Sequence, residues 1–176
     1  MNTQLSFDLP ARAALGRDDF FISPSNQIAV SMIDKWTQWS SRKLLLSGPE
    51  GAGKTHLTHV WATQSDATII DATDLREDAV PNLSAGPVAV ENIHIIAGCE
   101  AQQTALFYLH NLCLETDQSI LFTGRGEPQH WLLTLPDLES RLRGTTLIQL
   151  HPPDDALLRA VLIKLFSDRQ LSPSPE

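Results

Sequence analysis

Residues 48 to 55 read Gly48-Pro49-Glu50-Gly51-Ala52-Gly53-Lys54-Thr55, a complete G-x-x-x-x-G-K-[ST] pattern. Glycines let the backbone curl until its N–H groups point inward, and such a ring of amides at a helix N-terminus seats phosphate oxygens. The seat forms where a strand runs into a helix. Both flanks comply: apolar Leu44-Leu45-Leu46 precedes the pattern, and His56 to Gln64 can be helical. Lys54 is then the residue that reaches the β- and γ-phosphates, and the Thr55 hydroxyl can hold Mg²⁺. The expected cofactors are ADP or ATP with Mg²⁺. The alternative is a plain glycine-rich turn.

The rest of the chain supplies the layers such a loop needs. Further strands are expected at Ala67 to Asp71, Pro87 to Glu91, Ser119 to Thr123 and Thr145 to Leu150. They alternate with helical patterns at Gln27 to Trp39, where apolar Ile28, Met32, Ile33 and Trp36 recur at helical spacing, and at Glu100 to Thr116, Leu135 to Leu142 and Asp154 to Asp168. A helical turn is expected at Asp74 to Ala79 and a loop at Pro81 to Gly86. In the last helix Leu157, Leu158, Val161, Leu162 and Leu165 are expected to face inward. Apolar strands without strict alternation argue for an α/β fold, a parallel sheet with helices on both faces. Ligands of such sheets sit at the carboxyl ends of the strands, where the phosphate loop already lies. The expected organisation is a tail over 1–20, a nucleotide-binding domain over 21–170 and a C-terminal tail over 171–176.

Composition narrows the function classes. With 176 residues the chain suits one full-size domain. No run of eighteen apolar residues occurs and no basic-then-apolar signal opens the sequence, so a cytoplasmic protein with no membrane partner is expected. The net charge is −8, and the 13 basic residues are scattered. A nucleic-acid binder should carry a basic stripe, so no direct nucleic-acid contact is expected. Cys99 and Cys113 form neither a metal pair nor a redox motif, and Cys113 reads as a core thiol. Trp36 and Trp39 read as core packing rather than a base-stacking platform.

A phosphate loop also needs a carboxylate on a separate strand to help hold Mg²⁺. Val88-Ala89-Val90-Glu91-Asn92 is the candidate, with Glu91 for the metal. Asn92 follows where active AAA+ ATPases usually carry a second acid, and an amide cannot take a proton from water. Binding with slow intrinsic turnover is expected. Thr123 could sense the γ-phosphate through its hydroxyl, or be an ordinary strand residue. Arg141 and Arg143 lie two apart, so on a helix they diverge and cannot both serve one phosphate; from spacing alone each is a solvated arginine. In the N-terminal tail, Gln4-Leu5-Ser6-Phe7-Asp8-Leu9 could insert apolar anchors into a partner's groove. It could instead fold back on its own domain or take no fixed fold.

Across these stretches the chain resembles the AAA+ core of the bacterial replication initiator DnaA, and it looks most like DnaA's regulatory relatives of the Hda (HdaA) family. The likeness implies a P-loop NTPase fold of three layers, α/β/α, with a five-stranded parallel sheet. Phe21-Ile22-Ser23-Pro24-Ser25-Asn26 is similar to the motif that lies next to the adenine, which implies nucleotide contact for Asn26. Gly48 to Leu57 matches the phosphate loop, implying contacts from Pro49, Glu50, Gly51, Ala52, Gly53, Lys54, Thr55 and His56. Glu91 and Asn92 fall at a degenerate acidic position. Ser140-Arg141-Leu142 resembles the segment with the family's arginine finger, which implies that Arg141 acts in trans on a neighbour's nucleotide. Residues 4 to 9 look like the motif that binds the DNA polymerase III sliding clamp (its β subunit), implying contacts from Gln4, Leu5, Phe7 and Leu9.

The departures carry meaning as well. Glu91-Asn92 replaces a pair of aspartates, and Arg125 stands where DnaA typically has an acid. The chain ends about where the family's helical lid should begin, so weaker nucleotide affinity is expected. The implied function is repression of initiation: held on the clamp, the protein promotes hydrolysis of DnaA-bound ATP while showing weak or no ATPase activity of its own. DnaA and the clamp are the implied partners, with self-association as a further expectation. The rival readings are a self-sufficient AAA+ ATPase and a helicase-loader-like protein.

Overall fold

The computed structural model describes residues 21–168. Gln4, Leu5, Phe7 and Leu9, and the C-terminal tail 171–176, lie outside the described residues. The five strands are β1 (Lys43–Ser47), β2 (Thr68–Asp71), β3 (Val88–Glu91), β4 (Ile120–Gly124) and β5 (Thr146–Gln149). They form one parallel sheet in the order β2-β3-β4-β1-β5. The helices are α1 (Gln27–Asp34), α2 (Lys54–Ser65), α3 (Val80–Leu83), α4 (Glu100–Glu115), α5 (Pro136–Arg143) and α6 (Asp155–Asp168).

The strand residues alternate between two cores. Leu45, Val88, Val90, Ile120 and Phe122 join Leu106, Leu109 and Cys113 of α4 and Leu138 and Leu142 of α5 on one face. Leu44, Leu46, Ala89 and Leu121 join Val30 and Ile33 of α1 and Leu57, Val60 and Trp61 of α2 on the other. Covered on both sides, β1 and β4 are buried at every position, which is why they read as unbroken apolar runs. Trp39 stacks on the fully buried Trp61 with centroids 5.2 Å apart, and Trp36 meets the same ring edge-on at 6.3 Å. Both tryptophans are therefore packing residues.

Four local expectations need correction. The first helix stops at Asp34, and a 3₁₀ turn follows over Trp36–Gln38. The Trp39 indole N–H donates to the carbonyl of Met32 at 2.7 Å, satisfying a carbonyl of the helix end. Residues expected as a loop after Val80 form the short α3, where Pro81 sits in the first turn that tolerates it. Ile28, expected on the apolar face of α1, is exposed, and Ala29 and Val30 are buried in its place. Leu158, Val161 and Leu162 of α6 are also exposed. Leu158 and Val161, with Leu157, flank a cavity beside the phosphate loop instead of entering either core, so helical periodicity identified the face but not its use.

A polar pair is built into the N-terminal end of the sheet. Lys43 opens β1, and its ammonium lies 3.3 Å from Nε2 of the fully buried His110 of α4. Burial, then the Lys43 charge, push the His110 pKa down to about 4. Imidazole is thus neutral in the native protein and can accept a hydrogen bond from Lys43. Below the ordinary histidine value of about 6.5 the unfolded chain takes up a proton that the native state refuses. Stability should therefore fall as pH drops from about 6.5 and level off below about 4. Replacing His110 with Gln should remove up to about 3 kcal/mol of that fall, measured as urea-unfolding free energies at pH 7 and pH 4.

Candidate nucleotide-binding site

The strand order puts β4 between β1, which feeds the phosphate loop, and β3, which ends in Glu91. All three C-terminal ends meet at one cavity of about 340 Å³. The loop contributes Glu50, Gly51, Gly53, Lys54, Thr55 and His56, and the strand ends contribute Asn92 and Arg125. Gly51 and Gly53 have φ of 75° and 91°, the left-handed region that a side chain disfavours. Helix α2 starts immediately afterwards at Lys54, so its free amides point into the same space. The Lys54 ammonium donates to the carbonyls of Gly48 and Pro49 at 2.8 and 2.6 Å. Burial and the nearby Arg125 hold its pKa below the usual lysine value, while Glu50 and Glu91 act the other way.

A second cavity of about 250 Å³ adjoins the first and shares Gly51, Gly53 and His56 with it. Its remaining walls are Phe21, Asn26, Ala52, Pro153, Leu157, Leu158 and Val161. One compartment is ringed by amides and cations, the other by apolar groups, a division that suits a polyphosphate joined to a base. Asn26 is buried, and its amide is already engaged. Its Oδ1 accepts from the Ser23 N–H at 2.9 Å and its Nδ2 donates to the Phe21 carbonyl at 3.0 Å. Asn26 therefore shapes the 21–26 loop that brings Phe21 to the wall.

The acidic edge is built from Glu91, Asn92 and Asp71. Glu91 keeps Oε1 buried without a hydrogen-bond partner, an orphaned oxygen whose carboxylate acts on the Lys54 charge. Together with the exposed Thr55 hydroxyl it fits Mg²⁺, which uses few protein ligands and completes its shell with phosphate and water. Among the described residues no group of three or more His, Cys, Asp or Glu side chains could hold a metal ion. Asn92 adopts φ 60°, and its side-chain Nδ2 donates to Asp71 Oδ2 at 2.6 Å. Burial raises the Asp71 pKa, but bonds from the Thr73 hydroxyl, the Asn92 amide and the Thr73 N–H outweigh it and hold it below the usual value. Asp71, which sequence reading passed over, is thus a poor proton acceptor.

Thr123 is almost wholly buried and lines neither cavity; its hydroxyl accepts from the Asn92 backbone N–H at 3.2 Å. Its observed part is to fix Asn92, not to face the phosphate seat. Arg125, two residues on, does face it. The His94 pKa is lowered by burial, then by Arg125 and Lys54, which puts this second overlooked residue within the field of the seat. Arg141 is elsewhere. It lines a separate cavity of about 340 Å³ with Lys43, Asp137, Ser140 and Gly144, at the N-terminal end of β1. Five residues of strand, roughly 15 Å, separate that end from the phosphate loop. Arg143 pairs with Glu139 one turn earlier, whereas Arg141 makes no ion pair among the described residues.

No family model matches the sequence. Among solved structures, a DNA replication initiation factor superposes with a TM-score of 0.79 at 16% identity, covering 89% of this chain and 55% of its own. Domain III of the Thermotoga maritima replication initiation protein DnaA gives 0.77 at 18%, covering 94% of this chain and 79% of its own. This chain has the AAA+ fold of DnaA. AMPPCP-bound DnaA from Aquifex aeolicus gives 0.72 at 16%, covering 89% of this chain and 56% of its own. The chain thus spans about half the length of two of these DnaA-like proteins, and what it shares with them is the AAA+ sheet with its loop. No described helix is long and apolar enough to cross a membrane.

Within this AAA+ core the β4 end is tightly seated. A Cβ on Gly124 would stand 2.3 Å from the Trp131 ring. Gly124→Ala should therefore displace Trp131 and cost about 1–3 kcal/mol, read by chemical unfolding, and should weaken nucleotide binding in the same samples.

Proposed function

We propose that the chain is a nucleotide-binding AAA+ regulator of the Hda kind, which represses replication initiation by completing the catalytic site of ATP-bound DnaA. Mg²⁺ and ADP or ATP bind across the two adjoining cavities, with the base against Phe21 and the phosphates on Lys54 and Thr55. The chain's own nucleotide serves as a conformational key, since Asn92 cannot act as a base and Asp71 is a weak one. Arg141 is the group that does chemistry, on a neighbour's transferring phosphoryl. Residues Gln4 to Leu9 tether the protein to the sliding clamp, which brings it to replicating DNA.

One observation carries this reading. Arg141 is exposed, makes no ion pair among the described residues, and lies a strand's length from the phosphate seat of its own chain. A phosphate that it serves must belong to another molecule. Such an arginine in trans can contribute about 10³–10⁵ in rate. A self-sufficient ATPase is the second reading, favoured by the unpartnered Glu91 oxygen, which could polarise water.

The discriminating experiment mixes clamp loaded on DNA, ATP-bound DnaA and this protein, and follows conversion to ADP. Arg141→Ala should abolish the stimulation and leave nucleotide binding by the chain intact. Gln4→Ala with Phe7→Ala should abolish clamp pull-down and stimulation together. Stimulation that survives Arg141→Ala would sink the role in trans. Turnover by the isolated chain that disappears on Lys54→Ala would establish the second reading.

A further inference from the structure

Arg125 and Glu50 face each other across the phosphate cavity. One guanidinium nitrogen stands 3.1 Å from a Glu50 carboxylate oxygen. The two side chains are 49% and 80% exposed, and a solvent-open pair of this kind adds little to stability. The backbone beneath Arg125 is firmly held instead. Its carbonyl accepts from the Trp131 indole N–H at 2.6 Å, and the Ser47 hydroxyl donates to the carbonyl of Gly126. A rigid base thus carries a charged arm whose only ion-pair partner among the described residues sits on the phosphate loop itself.

The arm hangs at a defined end of the polyphosphate. Phe21 and Asn26 mark the base compartment, which neither Glu50, Lys54 nor Arg125 lines. The end farthest from the base therefore meets Lys54 and Arg125, and the phosphate-loop lysine reaches the β- and γ-phosphates. Arg125 also lowers the pKa values of Lys54 and His94, so its field already fills that space. We propose that Arg125 is a ligand in cis for the terminal phosphate of a bound nucleoside triphosphate, with Glu50 as the resting counter-ion that the phosphate displaces.

The exchange is favourable on simple electrostatic grounds. A terminal phosphate offers more negative charge than one carboxylate and bidentate geometry to a guanidinium, while the exposed Glu50 returns to water at small cost. A diphosphate ends short of Arg125 and leaves the pair intact. The chain therefore distinguishes triphosphate from diphosphate through Arg125. The inference rests on nucleotide binding in this cavity, as proposed above, and is independent of any action in trans.

Calorimetric titration of the full chain with Mg²⁺ and either ADP or AMPPCP, at one salt concentration, tests it. Arg125→Ala should weaken AMPPCP binding about tenfold and change ADP binding less than about twofold. Glu50→Gln should tighten AMPPCP binding about threefold, and the gain should vanish in the double variant. Because both side chains are exposed, the nucleotide-free variants should melt with wild type. Equal losses for both nucleotides, no loss, or a Glu50→Gln gain that persists without Arg125 would overturn the inference and leave nucleotide binding standing. No binding of either nucleotide by wild type would overturn both.

Discussion

The parallel pairing of β1 with β4, running from Lys43 opposite Ile120 to Ser47 opposite Gly124, sets everything else in this protein. Because the strands are parallel and buried throughout, their shared C-terminal edge must collect loops and their shared N-terminal edge must collect helix ends. The phosphate loop leaves β1 at the first edge, and Arg125 leaves β4 beside it. At the opposite edge α5 delivers Arg141 next to Lys43. A one-residue slip of this register would turn Leu45 out of one core and Leu44 and Leu46 out of the other, so both ends are fixed by the same apolar alternation.

That register also explains which parts of the molecule could be read in advance. The loop was legible because every one of its constraints is local: two glycines with positive φ, a helix start and a lysine within reach. Central strands were legible because burial on both faces forces continuous apolar runs. What escaped reading depends on residues far apart in sequence. Glu50 meets Arg125 only because β4 lies beside β1, and Asn92 meets Asp71 only because β2 lies beside β3. Helix α6 misled for the opposite reason. Its period was correct, yet Val161 and its neighbours border a cavity, and periodicity cannot distinguish a core from a ligand wall.

At the acidic edge the proposed reading separates two steps. Glu91 keeps a buried oxygen without a hydrogen-bond partner, the atom that a metal shell would use. Asn92 gives one amide N–H to Asp71 and its backbone N–H to Thr123, and a carboxamide cannot take a proton from water. Hydrogen bonds that depress Asp71 make it a poor substitute base. In the proposed reading, metal binding and proton abstraction use different atoms of this strand end, and the amide of Asn92 bears on the second alone.

The two edges also manage positive charge differently in a chain of net charge −8. At the phosphate seat Arg125 has a carboxylate to hand, so the cation rests until a stronger anion arrives. At the far edge Lys43 leans on a neutral imidazole, which accepts a hydrogen bond without cancelling its charge. Arg141 beside it lowers the Lys43 pKa after burial has done so, a sign that the two charges repel. In the proposed reading Arg141 acts on another molecule's phosphate, and a histidine held neutral beside Lys43 adds no further positive charge to this edge at physiological pH.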